Sequence, residues 1–291
     1  MSTILVTGAT GSLGGTTVDF LLKRTDAPNI LVLVRDAAKA ADLKSKGVTL
    51  LEGDYNDYAS LVKAFKGIDK LYFVSSSDIE NRNSQHKNVV DAAKEAGVKH
   101  VLYTSFVRKN ETETSPIASI AESHLKTEQW LEASGVNYTI LKHTIYTDMI
   151  PVFLGDKLLE TGIAYLPAGN GKVAFASRND MAEVASVLLT TGGHENKVYD
   201  ITNETAVTFQ DITNVITKIT SKEITYVSPS SEEYIDTLTK AGVPAGYIHM
   251  FAGFAEAFKQ NEFDAVNNKI ETILGRKPET VAEYLKGVYG N

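Results

Sequence analysis

Glycines at positions 8, 11 and 14 follow directly on the apolar run Ile4-Leu5-Val6. Such a run reads as a short strand buried on both faces. Behind the turn Thr7-Gly8-Ala9-Thr10-Gly11-Ser12-Leu13-Gly14-Gly15, residues 12–23 place Leu13, Val18, Leu21 and Leu22 on one helical face. Strand, glycine turn and helix together build a phosphate site. The glycines allow a tight turn and close backbone approach, while free N–H groups and the positive dipole end at the helix start hold the anion. The residues expected to meet a dinucleotide there are Gly8, Thr10, Gly11, Ser12 and Leu13.

The alternation begun by this motif continues. Apolar runs predict strands over 30–34, 48–51, 70–74, 100–104 and 137–141, and helical spacing predicts helices over 37–46, 58–65, 83–96 and 117–133. Six strand–helix alternations imply an α/β, Rossmann-type doubly wound parallel sheet, assigned to residues 1–150, with ligands beyond the carboxyl ends of the strands. Residues 151–168 read as irregular. Helices are expected over 179–189, 209–219, 231–241 and 247–260, with strands over 197–201 and 223–227. Residues 151–291 thus read as a smaller, mostly helical region that covers the substrate, some strands returning to the main sheet.

Bulk properties narrow the function. The net charge of −7 argues against binding nucleic acid. No apolar run approaches the roughly 20 residues that span a bilayer, and a strand at the N-terminus leaves no place for a signal peptide, so a cytoplasmic protein without membrane association is expected. Cysteine is absent and the six histidines form no ligand cluster, so no metal site is expected. A homodimer is expected on general grounds alone.

The residues just past each strand select the cofactor. An NAD-preferring fold ends its second strand with an acidic residue that bonds the ribose 2′-OH. Here that place is Val34-Arg35. A guanidinium pairs with a 2′-phosphate that a carboxylate would repel, so Arg35 predicts NADP, with NADPH preferred over NADH. Asp54 and Tyr55 end the third strand and are expected at the adenine edge, with an Asx turn as the alternative for Asp54. Ser75, Ser76 and Ser77 follow the fourth strand, where the chain passes ribose and pyrophosphate.

The spacing Gly-x-x-Gly-x-x-Gly is typical of the extended and atypical branches of the short-chain dehydrogenase/reductase superfamily. Members commonly carry Tyr-x-x-x-Lys on the helix after the fifth strand, where lysine lowers the pKa of a tyrosine acid–base group. The one such spacing in this chain, Tyr138 to Lys142, falls on a predicted strand, where four residues span roughly 13 Å. On the helix the matching positions are His124 and Glu128, with Ser105 in the serine position. Glu128 is expected to stabilise a protonated His124, or simply to form a helix-face pair with it. Tyrosinate chemistry on an alcohol is disfavoured. A quinone or a conjugated cationic dye suits an NADPH site without a strong acid, because the reduced quinone is a delocalised phenolate that solvent can protonate.

The glycine turn with Val34-Arg35, Gly53-Asp54-Tyr55, Ala96-Gly97-Val98-Lys99-His100, Tyr103-Thr104-Ser105 and Gly192-Gly193-His194-Glu195-Asn196-Lys197-Val198-Tyr199 resembles the NmrA-like atypical short-chain dehydrogenases. The likeness extends over nearly the whole chain. It is greatest to type 2 NAD(P)H:quinone oxidoreductases and triphenylmethane dye reductases. It implies an NADPH-dependent, flavin-free reductase, in which the turn Lys142-His143-Thr144-Ile145-Tyr146 runs along the nicotinamide, with His143 and Ile145 as contacts. Quinone reductases of this type often have Asn-Gly where this chain has His143-Thr144. Catalytic candidates are His143, as donor to the acceptor carbonyl, Tyr146 and His124. Substrate candidates are Phe106, Tyr146 and Tyr247, with His249 beside it, and core packing is the alternative for each aromatic. Two other readings share the fold. One is a noncatalytic NADP-binding redox sensor that regulates a partner protein. The other is an isoflavone-type reductase, which expects a catalytic lysine where Lys126 is poorly placed.

Overall fold

The computed structural model describes residues 2–290, the side chain of Lys39 excepted. The first half alternates as expected: β1 (Ile4–Val6), α1 (Ser12–Leu21), β2 (Ile30–Val34), α2 (Ala41–Ser45), β3 (Thr49–Glu52), α3 (Tyr58–Phe65), β4 (Lys70–Phe73), α4 (Arg82–Ala96), β5 (His100–Phe106), α5 (Ala118–Ser134) and β6 (Asn137–His143). The second half adds α6 (Ile150–Leu154), α7 (Leu158–Thr161), β7 (Ile163–Tyr165), α8 (Arg178–Thr190), β8 (Lys197–Ile201), α9 (Phe209–Thr220), β9 (Thr225–Val227), α10 (Ser231–Lys240), α11 (Ala245–Lys259), α12 (Lys269–Leu274) and α13 (Val281–Tyr289).

Seven strands form one sheet in the order β3-β2-β1-β4-β5-β6-β8, and every pair is parallel. Ile4 registers with Ile30 on one side and Lys70 on the other, so the order reverses at β1 and β4. The crevice beyond this reversal is where a doubly wound sheet takes its ligand. One face of the sheet is covered by α1 and α8, whose Val18, Leu21, Met181, Val184 and Leu188 are fully buried. The other is covered by α3, α4 and α5 through Leu61, Phe65, Val89 and Leu131. A third core, around Phe153, Phe175, Phe209, Phe258 and Phe263, belongs to the cover over the carboxyl ends. Thus α8, β8 and α12 return to the main sheet, while α6, α7, α9, α10, α11, α13 and the small parallel β7–β9 pair form the cover.

Three local expectations are corrected. Residues 151–168 are not irregular: Ile150, Phe153, Leu154 and Leu158 lie buried at helical spacing on α6 and α7, and β7 follows. The helix expected over 37–46 is broken. Asp36 accepts the Ala38 amide at 3.0 Å and starts a short 3₁₀ turn before α2. β5 and β6 run two residues further than expected, because Ser105 and Phe106 pair with Lys142 and His143. Among the described residues, no helix is long and apolar enough to cross a membrane, and no group of three or more His, Cys, Asp or Glu side chains could hold a metal.

Candidate functional site

At the carboxyl end of β1 the chain turns at Gly8, with φ of +61°. The Gly11 amide closes the turn on the Gly8 carbonyl at 2.9 Å. A Cβ on Gly14 would lie 2.4 Å from that same carbonyl oxygen, so α1 can back onto the turn only with glycine there. Gly11 caps α1 without a side-chain bond and the first turn carries no acidic residue, so its amides face outward for an anion. Ala9, Thr10, Gly11 and Ser12 line a groove of about 370 Å³, closed on the far side by Ala40, Leu43 and Lys46. The Leu13 side chain is buried in the core, leaving its backbone for a ligand. Arg35 is exposed one residue past β2, while the carboxylate of Asp36 is turned away into its cap. This bare cradle and the guanidinium beside it fit a dinucleotide carrying an extra phosphate.

The next two strand ends are internally bonded. Asp54 Oδ1 accepts the Asn56 amide at 2.8 Å, the Asx-turn alternative. The Tyr55 phenol donates to Val74 O at 2.8 Å and lies 2.5 Å from Thr7 Oγ1, pinning β1 to β4 rather than facing open space. The Ser75 amide donates to Thr104 Oγ1 at 2.8 Å. The Ser76 amide donates to His86 Nε2 at 3.0 Å, its carbonyl accepts Arg82 Nε at 2.7 Å, and Ser77 is exposed.

His124 and Glu128 share α5, but Glu128 does not serve His124, and that expectation is corrected. The Glu128 carboxylate takes both ends of the Arg108 guanidinium, at 3.0 and 2.7 Å, and accepts the Ser105 hydroxyl. Lys142 Nζ stands 3.7 Å from it. The bidentate cation outcompetes an imidazole one helical turn away. His124 instead has Tyr103 Oη 2.7 Å from Nδ1 and Arg82 Nη1 3.5 Å from Nε2. Burial, then the nearby Arg82, push its pKa well below the usual histidine value, so it is neutral rather than protonated.

His143 ends β6 at 1% exposure, and neither ring nitrogen has a partner among the described residues. Burial lowers its pKa to about 3. The Tyr146 ring lies 6.2 Å away, with the Arg178 guanidinium 4.2 Å above its centroid and Arg178 in turn paired with Asp148. Burial raises the Tyr146 phenol to about 12, so it keeps its proton. The Ile145 carbonyl is held by the Ala176 amide at 3.2 Å. Phe106 packs 5.2 Å from His124 and 5.9 Å from Phe263, ring centre to ring centre. The structure therefore brings Phe106, His124, His143 and Tyr146 to one end of the sheet. It leaves Tyr247 58% exposed on the first turn of α11, and His249 is exposed beside it.

A profile of the NmrA-like family matches residues 1–285. The chain belongs to the NmrA-like family. It is 36% identical over 287 residues to quinone oxidoreductase 2 of Escherichia coli (strain K12), covering 98% of both chains. The crystal structure of the NADPH-dependent quinone oxidoreductase of Escherichia coli complexed with NADPH matches at a TM-score of 0.90 and 34% identity, over 98% of this chain and 99% of that one. Triphenylmethane reductase of Citrobacter sp. matches at 0.90 and 33%, over the whole of both chains.

In this NmrA-like chain several site residues lie outside the motifs read from the sequence. Arg82 and His86 lie one turn apart on α4 and hold the Ser76 peptide from both sides. Arg108 and Phe263 reach the site only through the tertiary fold. The spacing of Arg82 and His86 by four residues was the available hint, since it puts both on one helical face.

Proposed function

We propose that the chain is an NADPH-dependent oxidoreductase that passes a hydride directly to a quinone or a related conjugated acceptor, with no flavin between. The α1 amides and the turn at Gly8, Thr10, Gly11 and Ser12 hold the pyrophosphate. Arg35 meets the 2′-phosphate, Ser75–Ser77 and the backbone at Asp54 flank the nucleoside, and His143 and Ile145 border the nicotinamide. When bound, the dihydronicotinamide supplies the hydride. The protein's share is to orient an acceptor between Phe106 and Tyr146, exclude water, and offer neutral donors to its oxygen.

The observation that carries this reading is His143. A buried imidazole with both nitrogens unpartnered is rare unless a ligand completes it. Held neutral, it can donate one hydrogen bond to an acceptor carbonyl without consuming a proton. Purified protein, given NADPH and menadione or benzoquinone with no added flavin, is expected to bleach the NADPH absorbance with saturation in both substrates. Saturable NADPH binding without consumption would favour the noncatalytic sensor instead.

A further inference from the structure

We propose that the Arg82 guanidinium, beside neutral His124, meets the oxygen of the bound acceptor and stabilises the negative charge it gains, selecting neutral acceptors that become anions on reduction over cationic dyes that become neutral. This rests on the reductase reading above.

Arg82 is 8% exposed and has no ion pair among the described residues. Its Nε is spent on the Ser76 carbonyl. The one carboxylate that influences it, Asp78, is exposed and bonded to Asn81 and Gln85. Arg108, the other buried arginine near the site, is paired with Glu128 through both nitrogens and with Glu111 at 3.0 Å. A buried cation without a counter-ion is costly unless something negative arrives.

His124 supplies no counter-charge. His86 accepts the Ser76 amide on Nε2, so as a neutral ring it carries its hydrogen on Nδ1, directed at Thr127 Oγ1 at 2.8 Å. The Tyr103 phenol has two partners in reach, His124 Nδ1 at 2.7 Å and Thr127. In either arrangement His124 is neutral and gives Arg82 Nη1, 3.5 Å from its Nε2, no negative charge. The same region holds the orphaned His143 ring and the Tyr146 phenol, both close enough to act electrostatically on this pair.

An oxygen that gains charge completes the arrangement. The C4–H bond of the dihydronicotinamide would break and an O–H bond form at one quinone oxygen, while the π electrons shift through the ring onto the opposite oxygen as a phenolate, which takes one proton from water. The dinucleotide is oxidised and the quinone reduced, so charge and electrons balance. A cationic triarylmethyl dye loses its charge in the same step and gains nothing from a guanidinium.

The test uses 4-nitrophenol, whose phenolate is coloured, with the NADP⁺-loaded protein. Binding is expected to lower its apparent pKa by about one unit or more, a tenfold preference for the anion. Arg82→Gln abolishes that shift and Arg82→Lys retains part of it. In turnover, Arg82→Gln is expected to lower kcat/KM for menadione at least about tenfold more than that for malachite green. No nitrophenol binding, an unshifted pKa, or a shift that survives Arg82→Gln overturns the proposal. So does an equal loss of kcat/KM for menadione and malachite green in Arg82→Gln, which would confine the guanidinium to holding Ser76. Failure of the wild type to consume NADPH overturns the reductase reading alone, because the nitrophenol shift needs no turnover.

Discussion

Replacing Arg35 with glutamate sets a carboxylate where the proposed 2′-phosphate lies. Losing a charge-assisted contact of about 1.5–3 kcal/mol raises the KM for NADPH about 10- to 100-fold. The KM for NADH, which has no phosphate there, changes little, and equal effects on both cofactors would remove Arg35 from the account. Gly14→Ala tests the other end of the crevice. Its methyl would stand 2.4 Å from the Gly8 carbonyl, so the turn must open and NADPH affinity is expected to collapse, as read by fluorescence titration. These residues were legible in the sequence because their roles are local: a turn beside its own strand, or a side chain just past one. Arg82 and Arg108 were not. What defines them is which carboxylate reaches them, and Glu128 lies twenty residues from Arg108.

At the scale of elements, α5 is tied to the segment just past β5 by the Arg108–Glu128 pair, with the arginine side chain fully buried and the glutamate 10% exposed. Glu128→Leu leaves that guanidinium only the half-exposed Glu111 carboxylate, 3.0 Å away, and is expected to cost about 3 kcal/mol of unfolding free energy. Adding Arg108→Met should recover much of this, because neither charge is then left alone. Denaturant unfolding of the single and double variants reads both numbers, and strict additivity would contradict the pairing. Periodicity revealed most of these elements. It missed α6 and α7, where Ile150, Phe153, Leu154 and Leu158 have helical spacing but only short helices form. It also ended β5 and β6 early. Polar residues such as Ser105 and Lys142 extend a strand only when a neighbour pairs with them, and that neighbour is set by topology.

For the whole molecule, four buried histidines lower stability in acid. Burial holds His86 and His143 at about 3 against an ordinary 6.5, His124 well below it, and His100 below it. Unfolded, each takes up a proton below pH 6.5; folded, each stays neutral to a lower pH. The unfolded chain therefore binds more protons, and stability present above pH 6.5 is lost as pH falls, by roughly 1.4 kcal/mol per pH unit for each histidine. Urea midpoints should fall between about pH 7 and about 5.5, above the carboxylate range, and a flat or rising midpoint there would contradict the burial of these rings. The doubly wound sheet itself was readable from six alternations, whereas the cover closing its mouth through Phe263 depends on contacts far apart in sequence. The central claim is direct hydride transfer from a dinucleotide held on the glycine turn. Menadione reduction by flavin-free protein with each C4-deuterated epimer of NADPH tests it most directly. One epimer is expected to slow turnover and pass its deuterium on, and the other to do neither; saturable NADPH binding with no label lost from either would contradict the account.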